Sequence, residues 1–220
     1  MVMFASREDA GVKLGRCLQE QRVRADLVLG LPRGGVIVAA GVARALHLPL
    51  ELLIVRKIGH PRHREFAVGA LAEAGVVVLD EEAVGTNAVV RAELEEIIRE
   101  EEDRLRSYQA RFQPKGAPDL TGKAVLIVDD GLATGATTEA AVLSARKRNA
   151  HRIVVTAPVA ATKAVERLAR VADEVRVLCV DPDFDAVGRY YEVFSQTTDE
   201  EVMEVMGVKP DTDFTGFHGK

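Results

Sequence analysis

Residues 124–137 read Ala-Val-Leu-Ile-Val-Asp-Asp-Gly-Leu-Ala-Thr-Gly-Ala-Thr. The opening five are apolar and too few for a helix of ordinary length, so they suit a strand buried on both faces, as in a parallel sheet. In such sheets ligands sit beyond the carboxyl ends of the strands, which is where Asp129 and Asp130 fall. Thr134-Gly135-Ala136-Thr137 is small enough to bring backbone N–H groups and two hydroxyls around a phosphate at a helix N-terminus, where the dipole also favours an anion. Adjacent carboxylates are poor partners for that same phosphate. They suit sugar hydroxyls, or a cation held through water. No Lys follows the glycine, which excludes the GxxxxGK[ST] nucleotide loop.

The rest of the chain repeats this alternation. Asp26–Leu31 is a second buried-type run and stops at Pro32-Arg-Gly-Gly35; Leu50–Val55 is a third and ends at Arg56-Lys57. Ile153–Ala157 and Val175–Val180 are two more. Helices are predicted over about 36–46, from the Thr-Gly turn to about 149, and over 162–171. Ser6 and Asp9 read as an N-cap and acidic first turn ahead of Ala10, Leu14, Cys17 and Leu18 at helical spacing. Strands alternating with helices indicate an α/β protein with a mainly parallel central sheet flanked by helices. Residues 66–80, around Glu73-Ala-Gly75, predict a hairpin. Val90, Leu94, Ile97, Ile98, Leu105, Tyr108 and Phe112 mark a long amphipathic helix that Pro114–Pro118 breaks. These read as an insertion of about 58–118 in a single domain of 1–207, with a C-terminal segment of about 181–207 and a loosely ordered tail at 208–220.

Composition narrows the function classes. The chain has 220 residues, 47% of them apolar and 29 basic against 34 acidic, a net charge of −5. That is a globular composition, and the balance argues against a general nucleic-acid binder. No apolar stretch is long enough to cross a bilayer, and the N-terminus lacks a secretory apolar region. Cys17 and Cys179 have neither zinc spacing nor a disulfide framework. The expectation is a cytoplasmic protein without a membrane or nucleic-acid partner. Against the acidic background, Arg56, Lys57, His60, Arg62, His63 and Arg64 cluster within nine positions. Such a cluster suits a small polyanion, or is a solvated loop.

Residues 124–137 resemble the signature of the type I phosphoribosyltransferases, which bind 5-phosphoribosyl-1-pyrophosphate (PRPP): an apolar strand, two acids, a short spacer, then Thr-Gly-Gly/Ala-Thr. The resemblance implies that Asp129 and Asp130 hold the ribose 2′- and 3′-hydroxyls, while Ala133, Thr134, Gly135, Ala136 and Thr137 cradle the 5′-phosphate. Leu31-Pro-Arg-Gly-Gly35 is similar to the family's pyrophosphate loop, which gives Arg33, Gly34 and Gly35 that role and adds Arg56 and Lys57 beside it. Ile58–Glu65 is similar to the mobile loop that closes over the substrate, with His60, Arg62, His63 and Arg64 on it. The segment 182–194 resembles the hood of the hypoxanthine-guanine enzymes, where Phe184 would stack on the base; a packed aromatic cluster with Tyr190, Tyr191 and Phe194 is the other reading. Ala133 stands where 6-oxopurine enzymes carry an acid, and Ile153–Ala161 holds no Lys to read a 6-oxo group. The implied activity is Mg²⁺-dependent phosphoribosyl transfer to a small nitrogen acceptor, a nucleobase above all, by a homodimer. Mg²⁺ would be carried mainly by PRPP, with Asp129 and Asp130 as its only candidate protein neighbours. A PRPP- or nucleotide-sensing regulatory protein is the alternative.

Overall fold

The computed structural model of the chain describes residues 3–80, 84–85 and 88–208. Tail residues from 209 onward therefore lie outside the described residues. Five parallel strands form the central sheet: β1 (Leu27–Gly30), β2 (Leu50–Leu52), β6 (Ala124–Val128), β7 (Arg152–Ala161) and β8 (Glu174–Asp181). Across the sheet they run in the order β2-β1-β6-β7-β8. β1 is buried at every position and β7 at eight of its ten, as continuous apolar runs require when both sheet faces are covered. The covering helices are α1 (Arg7–Glu20), α2 (Gly34–Leu46), α4 (Ala136–Lys147) and α5 (Thr162–Leu168). Ser6 does cap α1, its hydroxyl accepting from the Asp9 N–H, which satisfies one of the orphan donors at a helix start.

The order of the strands matters for function. From β1 the chain builds outward to β2 at one edge; after returning at β6 it builds outward through β7 to β8 at the other. β1 and β6 are neighbours, with Gly30 opposite Val128. The loops that follow them therefore diverge and leave a crevice between, the usual ligand position in an open α/β sheet.

A second, antiparallel sheet stands beside the first. Its strands are β3 (Val55–His60), β4 (His63–Ala72) and β5 (Val76–Leu79), with β4 in the middle. The 66–80 hairpin is present as β4 and β5, joined through Glu73–Gly75. One expectation is corrected here. Leu50–Val55 is not one strand: β2 ends at Leu52, Leu53 and Ile54 cross over buried, and β3 starts a different sheet at Val55. Ile58–Glu65, the stretch expected to be the mobile loop, forms the end of the β3–β4 hairpin, paired up to His60 opposite His63 with shifts of register at Gly59 and with Pro61 and Arg62 at the turn. Helix α3 (Ala88–Phe112) buries Val90, Leu94, Ile97, Leu105 and Phe112 in one core cluster with residues of this sheet and of the C-terminal helix α6 (Asp199–Met206).

Candidate functional site

β6 delivers Asp129 and Asp130 to the crevice, and their surroundings differ. The Asp129 carboxylate accepts from the N–H of Asp130 at 2.9 Å and from the Thr138 hydroxyl at 3.4 Å. Burial, with the neighbouring Asp130 charge second, pushes its carboxyl up to about 7. The positive charge of Lys57 on β3 acts in the opposite direction on the same group. Asp130 instead accepts from Arg7 Nε at 2.7 Å, both side chains being mostly buried (12% and 16% exposed). Its backbone carbonyl accepts from the Tyr191 hydroxyl at 2.6 Å. Burial of that phenol, and the Asp130 charge after it, raises the Tyr191 hydroxyl above its ordinary range.

Beyond the acids, Gly135 takes a left-handed φ of 76° and sets the start of α4, a backbone position that favours glycine. Ala133 and Thr134 are exposed ahead of it. The loop is pinned to β7, because Leu132 N donates to Val159 O and Leu132 O accepts from Ala161 N. A 12-residue α-helix thus begins beside the acid pair, with Thr138 of its first turn on Asp129, and a helix start is a place that attracts a phosphate.

The loop after β1 closes the other side. The Pro32–Arg33 peptide is cis, and α2 begins at Gly34. A Cβ built on Gly34 would fall 2.1 Å from Asp130 Oδ2 and 2.5 Å from Arg7 Nε; one on Gly35 would fall 3.0 Å from Asp129 Oδ1. Backbone of residues 34–35 therefore lies directly on the acid pair, an approach that a side chain at either position would obstruct. Arg33 points toward the C-terminal segment, 3.7 Å from Asp199 Oδ1. Asp199 also accepts from Arg111 at 2.6 Å and from the Tyr108 hydroxyl at 2.5 Å. A cavity of about 280 Å³ lies there, lined by Arg33, Gln196–Thr198, Asp199 and Glu200.

The structure separates two residues that the sequence reading paired. Successive strand residues face opposite sides, so Lys57 goes with Asp129 while Arg56 turns to α3, where its Nε donates to the buried Glu101 at 2.9 Å. Arg56 is not at the acid pair. Arg64 likewise reaches α3, 3.1 Å from Glu100. His60 and His63 stack at 5.9 Å across the hairpin turn, and His60 Nδ1 accepts from the Arg62 N–H. Phe184 sits in the aromatic cluster, half-buried, with its ring stacked on Tyr190 at 5.4 Å.

Arg7, Thr138, Tyr191 and Asp199 were not among the expected site residues. Only Thr138 had a local signal, as the hydroxyl immediately after the Thr-Gly-Ala-Thr segment. The donors present fit Mg²⁺ carried in by a ligand, because this ion commonly takes one or two carboxylates and completes its shell with phosphate oxygens and water. No group of three or more His, Cys, Asp or Glu that could hold a metal occurs among the described residues. Nor does any helix among them have the length and apolarity to cross a membrane.

An acid pair and a helix start thus face a glycine loop across the switch point of a parallel sheet, the crevice in which open α/β sheets take their ligands. The chain belongs to the phosphoribosyl transferase family: the model of the phosphoribosyl transferase domain matches residues 8–194. A Mycobacterium tuberculosis protein bearing a provisional phosphoribosyl transferase name is 42% identical over 204 residues, 92% of this chain and 46% of the relative. The chain thus spans about half the length of the curated relatives it matches. Among solved structures, TT1426 from Thermus thermophilus is similar at 41% identity and a TM-score of 0.77, over 93% of this chain and 98% of the other. The AQ2163 protein from Aquifex aeolicus shares the fold at 14% identity and a TM-score of 0.51, over 83% and 78% of the two chains.

Proposed function

We propose that the protein transfers the 5-phosphoribosyl group of PRPP to a nitrogen acceptor, a nucleobase, and releases pyrophosphate. The observation that carries this reading is the meeting of Asp129-Asp130 with the Gly34-Gly35 backbone at the mouth of the crevice, one helix start away from a phosphate cradle. A ribose bridging those elements would have its hydroxyls on the carboxylates, its 5′-phosphate at residues 133–137 and its pyrophosphate along residues 33–35.

The C1′–O bond to pyrophosphate breaks and its electron pair leaves with pyrophosphate. The acceptor nitrogen forms the new bond to C1′ and gives up its proton. This chemistry needs orientation and charge stabilisation more than a protein nucleophile. The carboxylates orient the ribose, and their negative field favours the cationic character that develops at C1′. Lys57 and Arg33 supply positive charge for the leaving group. Mg²⁺, when bound, supplies further neutralisation of the pyrophosphate charge. Phe184, backed by Tyr190, is the surface on which a planar acceptor would stack.

The test is pyrophosphate release from PRPP and Mg²⁺ in the presence of pooled purine and pyrimidine bases. Base-dependent release by the wild type, lowered at least about a hundredfold in a folded Asp130→Asn variant, is the expected result; losses of that order follow from removing one preorganised polar group. Release that survives the substitution would overturn the site. PRPP binding without release for any base would replace the transferase with a sensor.

A further inference from the structure

We propose that Arg7 is a positioning residue for the acid pair, one that sets the Asp130 carboxylate and couples it to the C-terminal segment. The inference rests on the reading of Asp129-Asp130 as the ribose site and adds to it a residue 123 positions away in sequence.

Arg7 uses each part of its guanidinium on a different element. Nε donates to Asp130 Oδ2 at 2.7 Å, one terminal nitrogen donates to the Ser195 carbonyl at 2.7 Å, and the guanidinium plane covers the Phe194 ring at 3.9 Å from its centroid. Two N–H donors and a flat cation over an aromatic face are geometry that Arg supplies and Lys does not. Phe194 leans on Tyr191 at 5.1 Å, and Tyr191 donates to the Asp130 carbonyl. Arg7, Phe194, Tyr191 and Asp130 thus form a closed ring of contacts between α1, the C-terminal segment and the end of β6.

The placement of Arg7 is itself held. A Cβ on Gly41 of α2 would fall 2.5 Å from the carbonyl carbon of Gly11 in α1, and one on Gly11 would fall 2.6 Å from the Val38 carbonyl. The two backbones touch, so α1 has little room to slide along α2. The start of α2 is the glycine loop on the acid pair, and the start of α1 is Arg7. One clamped helix pair therefore delivers both the pyrophosphate loop and the cation that fixes Asp130.

Two adjacent carboxylates repel each other and rotate independently unless something holds them. An ion pair through one oxygen of Asp130 restrains its rotamer and offsets part of that repulsion, leaving the pair set for a diol. Through Ser195 and Phe194, the same guanidinium ties this geometry to the segment proposed to face the acceptor. A residue that acts this way changes turnover chiefly through Asp130, and the contacts with Ser195 and Phe194 leave it a smaller effect of their own.

The test is a double-substitution cycle on the full chain, with Arg7→Met, Asp130→Asn and both together. The readouts are kcat and KM for PRPP, together with calorimetric binding of Mg²⁺-PRPP. Arg7→Met is expected to lower kcat/KM roughly tenfold or more in the wild-type background and to cost only about twofold in the Asp130→Asn background, since coupled neighbours depart from additivity by such factors. Equal losses in both backgrounds, or no loss in the first, would overturn the proposal, because a purely structural role adds independently of Asp130. Should Arg7→Met fail to fold, Arg7→Lys runs the same cycle: it keeps the charge, loses the fork, and is expected to recover only part of kcat. A wild type that neither binds nor turns over PRPP would overturn the transferase reading and this proposal with it; a competent wild type with an additive cycle would overturn this one alone.

Discussion

β1 and β6 are strands buried on both faces, and what they bring to the crevice is mostly short: Gly34 and Gly35 after one, two aspartates and the Ala133–Thr137 turn after the other. β3 reaches it from a sheet with one side on α3, and contributes a long cation on each of two faces. The contrast teaches where tolerance lies. On the parallel sheet the glycine loop approaches the acids by its backbone and leaves no room for a side chain at residues 34 and 35; on the antiparallel sheet the proposed role depends on which way a flexible side chain points.

The strongest way to break that contrast is to add one methyl group on the parallel side. In Gly34→Ala the atoms nearest the new Cβ belong to side chains, Asp130 and Arg7, and not to backbone, so these are expected to move aside and the fold to survive. Their movement would displace the carboxylate from the place proposed for the ribose. Turnover is expected to fall on the order of a hundredfold, the scale of an ångström's misplacement at a reacting centre, with the melting temperature lowered by only a few degrees. Steady-state kinetics beside thermal melts check this. A variant as active as the wild type would show that the loop does not seat on the acid pair during the reaction.

A smaller effect separates the two cations on β3. Lys57→Met is expected to weaken PRPP binding roughly tenfold, about 1.4 kcal/mol, with little change in stability. Arg56→Met is expected to leave PRPP binding within about twofold and instead to lower the melting temperature by several degrees, because Glu101 is buried and loses a donor worth about 1–2 kcal/mol. Arg104 also contacts Glu101 at 2.5 Å and keeps the loss moderate. Titration calorimetry with melts of both variants decides; equal losses of affinity would erase the two-face assignment.

This pair also shows how far the sequence could be read. The acids, the cradle and the glycine loop lie next to strand ends that apolar runs announce, so they were legible as local patterns. Arg56 and Lys57 looked like one basic dipeptide because Leu50–Val55 passed for a single strand of the main sheet. The change of sheet happens within uninterrupted apolar residues, where periodicity is silent. Once Val55 is known to open a strand, the two-residue period alone sends Arg56 and Lys57 to opposite faces. The partners of Asp130 were beyond local reading altogether. Arg7 is one arginine at the head of a helix, and only the packing of Gly11 on Gly41 brings it to β6. Asp199 gave no signal either: its ties to Arg33, Tyr108 and Arg111 join three segments that are neighbours only in space.

The smallest effect belongs to the acid pair itself and sharpens the difference between its members. Burial and the Asp130 charge hold the Asp129 carboxyl near 7 in the folded, ligand-free protein, whereas an unfolded aspartate titrates near about 3.9. Between those values the native state keeps a proton that the unfolded state has lost. Stability therefore falls as pH rises from about 4 toward 7, and the contribution is gone above the folded value. Asparagine cannot ionise, so Asp129→Asn escapes this loss. Its melting temperature is expected to match the wild type near pH 4 and to exceed it by roughly 3–6 °C at about pH 8, the equivalent of one or two kcal/mol in a chain of this size. Asp130 is met by Arg7, and Asp130→Asn should instead leave the guanidinium without its carboxylate and melt lower than the wild type at that same pH. Melts of both variants across this range would test the asymmetry: opposite signs at the alkaline end support unlike roles for the two acids, and parallel curves would mean that the ion pair with Arg7 does not distinguish them.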